Sequence, residues 1–126
     1  MEFEEQVKSA IRAIPRGKVA SYSQVASLAG NYRAARQVVR VLHTSSRRDR
    51  LPWQRVVNSR GRISLGRGRG FEEQRRLLLK EGVTVSRSGR INLLEFQWEP
   101  KGPKSNAAAR FLTWLSNDKE DRQGFK

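Results

Sequence analysis

Apolar residues recur at helical spacing in the first segment of the chain, at Phe3, Val7, Ala10, Ile11 and Ile14, with polar residues between them. A period near 3.6 gives one buried stripe and predicts an amphipathic helix over residues 2–14, ended by Pro15-Arg16-Gly17. Ser21-x-x-Gln24 then reads as a capping box opening a short helix with Val25, Ala26, Leu28 and Ala29 inward. Gly30-Asn31 makes a turn. A further helix is predicted from about Arg33 to His43, with Ala34, Val38, Val41 and Leu42 on its inner face and Arg33, Arg36, Gln37 and Arg40 on its outer face. A short helix, a glycine turn and an arginine-faced helix form a helix-turn-helix pattern. Two core helices whose arginines are merely solvated would give the same pattern.

Beyond that pair, Thr44 to Arg50 is polar and basic and reads as a loop. Leu51 to Val57 is an apolar stretch with Pro52 inside it. Asn58-Ser59-Arg60-Gly61 is a turn signal, and Arg62 to Leu65 is expected to pair back as a short hairpin strand. Gly66-Arg67-Gly68-Arg69-Gly70 is a glycine-arginine loop. A helix is predicted from Phe71 to Glu81, with Gly82 as its stop, and Ile91 to Trp98 closes the domain. The predicted fold class is mainly α, a winged-helix-like helix-turn-helix domain with a short β-hairpin. Its expected span is residues 1–100, followed by an extension over 101–126. In that extension Lys101-Gly102-Pro103-Lys104 reads as a linker, and Ala108, Phe111, Leu112 and Leu115 give a short amphipathic helix over 106–115. That helix either packs on its own domain or serves a partner.

Composition narrows the chemistry. The 126 residues contain no cysteine, which excludes disulfides, thiolate metal ligands and a thiol nucleophile. His43 is the only histidine, so no metal site and no cofactor are expected. No apolar run approaches the roughly 18 residues of a membrane span, and the acidic start Met1-Glu2-Phe3-Glu4-Glu5 is unlike a signal peptide. The formal charge is +14. Between residues 31 and 70 stand eleven arginines against Asp49 alone, with no lysine. Arginine suits planar contacts to phosphate and stacking on bases, so nucleic acid is the expected partner.

Three stretches carry a family pattern: Ile14-Pro15-Arg16-Gly17-Lys18-Val19-Ala20-Ser21-Tyr22, Gly30-Asn31-Tyr32-Arg33-Ala34-Ala35-Arg36, and Pro52-Trp53-Gln54-Arg55-Val56-Val57. Together they resemble the DNA-binding domain of the O6-alkylguanine-DNA alkyltransferases, and more closely the alkyltransferase-like proteins, the non-catalytic branch. In the enzymes the third stretch reads Pro-Cys-His-Arg-Val. Here Trp53 stands for the cysteine and Gln54 for the histidine. Alkyl transfer needs a thiolate activated by a neighbouring base. An indole N–H and an amide supply neither, so the chain is expected not to be an enzyme.

The resemblance implies a mechanism. The arginine-faced helix enters the minor groove, Arg36 fills the gap left by an extruded base, and Tyr22 pushes against the target's 3′ phosphate. Trp53 lines an alkyl pocket with Pro52 and Val56, and Arg67 or Arg69 contacts the alkylated base or a phosphate. The implied DNA-contacting set is Tyr22, Ser23, Gln24, Arg33, Ala34, Ala35, Arg36, Gln37, Arg40 and Arg55. The implied function is a sensor of O6-alkylguanine in double-stranded DNA that passes the lesion to nucleotide excision repair. A monomer in a bacterial cytoplasm, associated with the nucleoid and not with a membrane, is the expected setting. Three other functions remain: an enzyme with an unusual nucleophile or a glycosylase, a sequence-specific regulator reading the major groove, and a nonspecific architectural protein.

Overall fold

The structure, a computed structural model, describes residues 2–100. The expected extension over 101–126, with its short helix, lies outside the described residues. In chain order the elements are α1 (Phe3–Ala13), β1 (Ala20–Ser21), α2 (Tyr22–Leu28), α3 (Ala35–Asp49), a 3-10 turn (Trp53–Arg55), β2 (Val56–Val57), α4 (Phe71–Lys80) and the single turn α5 (Leu93–Phe96). The fold is mainly helical, as its periodicity predicts. Among the described residues no helix is long and apolar enough to cross a membrane.

α1 carries Glu4 and Glu5 in its first turn and Arg12 in its last, which suits the helix dipole at both ends. It buries Val7 and Ile11, and stops where Ile14 turns extended before Pro15. Lys8 is buried on the same helix. Its ammonium reaches Asp49 at 2.9 Å, Glu4 at 3.4 Å and Glu5 at 3.5 Å, and so ties α1 to the far end of α3. Hydrogen bonds from Lys8 and Arg48 hold the Asp49 carboxyl below its ordinary range. Ser21 caps α2, its hydroxyl accepting the Gln24 N–H at 3.0 Å.

Two apolar clusters share the short sheet. The first gathers Val7, Ile11, Val25, Val38 and Val41 from α1, α2 and α3. The second gathers Ile63, Phe71, Leu78, Val83 and Ile91 around α4. β1 and β2 run parallel between them, with Ala20 beside Val56 and Ser21 beside Val57. Successive side chains of a strand point to opposite faces. Ala20 and Val56 therefore serve the first cluster, while Val19 and Val57 serve the second.

Two sequence expectations are corrected here. The residues read as a polar loop, Thr44 to Asp49, continue α3. The Thr44 and Ser46 hydroxyls donate to the Arg40 and Leu42 carbonyls, so their polarity is spent within the helix, and Ser45 is buried. The helix ends only where Arg50 adopts a left-handed conformation at φ 51°.

The second correction concerns the hairpin. The Asn58 turn does form, with its side-chain oxygen accepting the N–H groups of Arg60 and Arg62. One backbone bond closes the turn, the Asn58 N–H donating to Arg62 O at 3.0 Å, and beyond it the returning residues pair with another segment: Arg62 bridges Arg90, Ile63 donates to Gly89 O at 3.0 Å, and Ile91 donates to Gly61 O at 2.7 Å. β2 already pairs with β1, and the buried Gln74 amide donates to the carbonyls of Gln54 at 3.1 Å and Val56 at 3.0 Å. Gly89 makes the new pairing possible. At φ 87°, a Cβ there would lie 2.6 Å from the Phe71 ring.

Candidate nucleic-acid interface

The outer face of α3 is built by the inward commitment of its other residues. Val38, Val41 and Ser45 are buried, which turns Arg36, Gln37, Arg40 and Arg47 to solvent. Because α3 is longer than its sequence suggests, Arg47 prolongs the basic stripe about 16 Å beyond Arg36, at 1.5 Å per residue. No hydrogen bond or ion pair within the described residues holds the Arg36 or Arg40 guanidinium. Both are free to meet an anion.

The turn before α3 is ordered by Asn31, whose side-chain oxygen accepts the Arg33 N–H at 3.1 Å and whose carbonyl accepts the Ala34 N–H at 3.0 Å. Tyr32 stands 65% exposed beside it, with the Arg33 guanidinium 5.5 Å from its ring and donating to its hydroxyl at 3.1 Å. The site reading from sequence did not include Tyr32. An aromatic residue in a Gly-Asn turn was the available signal. Ala34 is buried in the first cluster and Ala35 is half-buried, so Ala34 serves packing in the first place.

The Pro52 to Val57 stretch divides by direction. Pro52 and Trp53 are half-buried at the surface, and Trp53 belongs to neither apolar cluster. Gln54 is buried and donates to Glu81 Oε2 at 2.7 Å. Arg55 places Nε 3.0 Å from Glu81 Oε1 and Nη2 3.0 Å from Oε2, and Nη1 donates to the Ile14 carbonyl at 2.9 Å. Burial pushes the Glu81 carboxyl up. The hydrogen bonds from Arg55 and Gln54, the Arg55 charge and the Gly17 N–H outweigh it and hold the group below the ordinary carboxylate range. Val56 is 1% exposed and lies beneath this surface.

Several members of the expected DNA-facing set have partners within the fold. Arg55 spends its fork on Glu81 and Ile14, so it is a clamp between the two halves of the domain. Gln24 is also turned inward, donating to the Trp98 carbonyl at 2.7 Å and accepting from Gln97 at 2.9 Å. Ser23, beside it, is exposed. Tyr22 packs its ring on the first cluster and hydrogen-bonds Ser64 through its hydroxyl at 2.8 Å, which holds the start of α2 to the segment after β2.

The two arginines of the glycine loop are not equivalent. Arg67 lies over the Phe71 ring at 4.6 Å and donates to the Arg87 carbonyl at 3.0 Å. The exposed Arg69 donates its backbone N–H to Gly66 O at 2.9 Å, and its guanidinium has no hydrogen bond or ion pair among the described residues. A cleft of about 380 Å³ opens beside Arg67, between Phe71, Arg75 and Arg87. A larger one of about 550 Å³ is walled by Pro15, Leu93, Leu94 and Trp98. Neither cleft counts Tyr22 or Trp53 among its walls.

Residues 2–83 match the family model described as 6-O-methylguanine DNA methyltransferase, DNA binding domain. The chain is 49% identical over 96 residues to the DNA base-flipping protein of Escherichia coli K12, covering 76% of this chain and 74% of that protein. It is 36% identical over 104 residues to alkyltransferase-like protein 1 of Schizosaccharomyces pombe, covering 79% of this chain and 96% of that protein. Its structure resembles that of S. pombe Atl1 in complex with damaged DNA containing O6-carboxymethylguanine, with a TM-score of 0.71 and 34% identity over 78% of this chain and 95% of that one.

Proposed function

This chain belongs to the alkyltransferase-like branch of the 6-O-methylguanine DNA methyltransferase DNA-binding family, and from that premise we propose that it is a non-enzymatic sensor of O6-alkylguanine in duplex DNA. The reading is supported by the half-buried Trp53, which lies outside both apolar clusters and which the sequence resemblance sets against the reactive cysteine of the related enzymes, in a chain that has no cysteine at all. The names of the relatives, a base-flipping protein and an alkyltransferase-like protein, support the same class.

On this reading the basic face of α3 docks in the minor groove. Arg36, unpaired near the start of α3, enters the stack as the target nucleotide leaves it, and its guanidinium stacks on the neighbouring bases. Tyr22, braced by Ser64, presses on the target's 3′ phosphate. Trp53 and Pro52 form the wall that the alkyl group meets, with Val56 as support beneath. Burial of the alkyl group against that wall contributes roughly 0.8 kcal/mol per CH₂. Alkylation at O6 also removes the N1–H of guanine and weakens its pair with cytosine, so extrusion costs less than the few kcal/mol of a normal pair. Of the two loop arginines, Arg67 is already held by Phe71 and Arg87, which on this reading leaves Arg69, without a side-chain partner among the described residues, to reach the flipped base.

Nothing on the chain then carries the reaction forward. The alkyl group needs a thiolate and a base, whereas Gln54 has its amide on Glu81. The stable product of recognition is a complex in which the base is flipped and the DNA bent, and nucleotide excision repair is the process that would consume it. The test is prolonged incubation of the protein with a duplex carrying O6-methylguanine. The expected result is an unchanged protein mass and an unchanged lesion content of the DNA. A protein heavier by one methyl group, or a released base, overturns the non-enzymatic reading.

A further inference from the structure

We infer that the cleft between the Pro15–Lys18 turn and α5 is the seat of this chain's own segment 106–115. The cleft is about 550 Å³ and its walls are apolar at Pro15, Leu93, Leu94 and Trp98. Leu94 is 65% exposed. A single exposed leucine is ordinary. Here it continues an apolar strip through Leu93 to the half-buried Trp98, on a support that is already fixed. The Trp98 N–H donates to Val19 O at 2.7 Å, the Trp98 carbonyl accepts from Gln24 at 2.7 Å, and Lys18 Nζ donates to the Glu95 carbonyl at 3.1 Å. The seat is therefore preformed and is hydrogen-bonded to α2.

Three observations name the occupant. First, the chain leaves the domain at the wall itself: Trp98 and Glu99 line the cleft, and Lys101 follows Pro100. The five residues 101–105 span at most about 18 Å when fully extended, so residue 106 cannot start far from the cleft. Second, Ala108, Phe111, Leu112 and Leu115 fall at i, i+3, i+4 and i+7, an apolar stripe at helical spacing of the kind that needs a surface to cover it. Third, the charges match. In a chain of formal charge +14 the lining of this cleft carries Glu95 and Glu99 against Lys18 alone, both carboxylates exposed and without an ion pair among the described residues. The sequence that follows Pro100 carries Lys101, Lys104 and Arg110. A tethered segment acts at an effective concentration near the millimolar range, which favours the chain's own tail over a second copy.

The absence of cysteine gives a clean test in the 126-residue chain. Cysteine pairs are introduced as Leu94→Cys with Leu112→Cys and as Leu94→Cys with Phe111→Cys, and Tyr32→Cys with Leu112→Cys is the control outside the cleft. A disulfide forms only where Cα atoms come within about 4–7 Å. The expected result under mild oxidation is an intramolecular disulfide in one or both of the Leu94 pairs and a reduced control. Equal bridging of all pairs, no bridging in either Leu94 pair, or bridging that yields dimers each overturns the proposal, the last by making a second copy the occupant. A non-covalent measurement stands beside it. Leu94→Glu should speed amide exchange across 108–115 by about tenfold or more while leaving DNA affinity unchanged. Unaltered exchange overturns the proposal.

Discussion

At the scale of single residues, the Pro52 to Val57 stretch is a surface and an anchor written side by side. Trp53 faces outward from a 3-10 turn, and the next two side chains run into the interior and grip Glu81. Restoring the thiol alone therefore does not restore the reaction. In Trp53→Cys the new sulfur stands beside an amide that is already donating to Glu81 and has no basic lone pair to take a proton. Intact-mass analysis after incubation with O6-methylguanine DNA should show no methyl gain at rates resembling an enzyme's, and rapid methylation of the introduced thiol would contradict this account of activation. Arg36 is the other side chain on which the proposed function rests. Arg36→Ala leaves the folded domain untouched, since the guanidinium has no partner within the described residues, but leaves the vacated stack unfilled. Lesion affinity should fall by tenfold or more, about 1.4 kcal/mol. The emission of a fluorescent base analogue beside the lesion should no longer report extrusion. Full affinity with full extrusion would remove Arg36 from the mechanism.

The elements explain why some of this could be read from the sequence and some could not. Local signals held. The 3.6-residue apolar spacing of α1, the Ser21 cap of α2 and the Gly82 stop of α4 each depend on neighbours in the chain. The length of α3 escaped because Thr44 and Ser46 look like loop residues until their hydroxyls are seen bonded back to Arg40 and Leu42. The parallel pairing of β1 with β2 escaped because it joins Ala20 to Val56, far apart in sequence, and because Gln74 occupies carbonyls that a hairpin partner would need. The resemblance sets Arg55 and Gln24 among the DNA contacts, and in the fold their side chains bond Glu81, Ile14, Gln97 and Trp98 on distant elements. Residue type gives the donors, and only the fold says where they are spent.

The Arg55–Glu81 pair has its own consequence, because it joins the turn before β2 to the end of α4, with Arg55 also reaching the end of α1. Its side chains are 16% and 7% exposed. Glu81→Gln should cost about 1.5–3 kcal/mol at neutral pH, the range for hydrogen bonds to a charged group. The folded carboxyl is held below its ordinary value of 4.5, so its contribution is full above that pH and is lost as the pH falls through the lower folded value. Thermal unfolding across pH should show wild type and Glu81→Gln converging in the acid range. A gap that stays constant down to low pH would mean that the ion pair is not its source.

For the molecule as a whole, part of the arginine excess over residues 31–70 is laid out by α3 into a stripe from Arg36 through Arg40 to Arg47, and Arg69 stands exposed on the loop before α4. That arrangement alone gives affinity for any duplex through counterion release, with a slope of roughly 0.9 per neutralised phosphate. Arg40→Ala should lower the slope of log affinity against log salt by about 1 on damaged and undamaged DNA alike. An unchanged slope would place Arg40 off the DNA. Charge cannot by itself distinguish one guanine from another. On the proposed reading that distinction belongs to Trp53, Tyr22 and Arg36, and it separates a lesion sensor from a basic helix-turn-helix protein that reads sequence or nothing.

The most direct measurement is fluorescence anisotropy of one short duplex carrying either guanine or O6-methylguanine at the same position, at two salt concentrations. A lesion sensor binds the modified duplex at least tenfold more tightly, about 1.4 kcal/mol, and keeps that ratio as salt weakens both affinities together. Equal affinity for the two duplexes at both salt concentrations would contradict the account, leaving a protein held to DNA by its arginines alone.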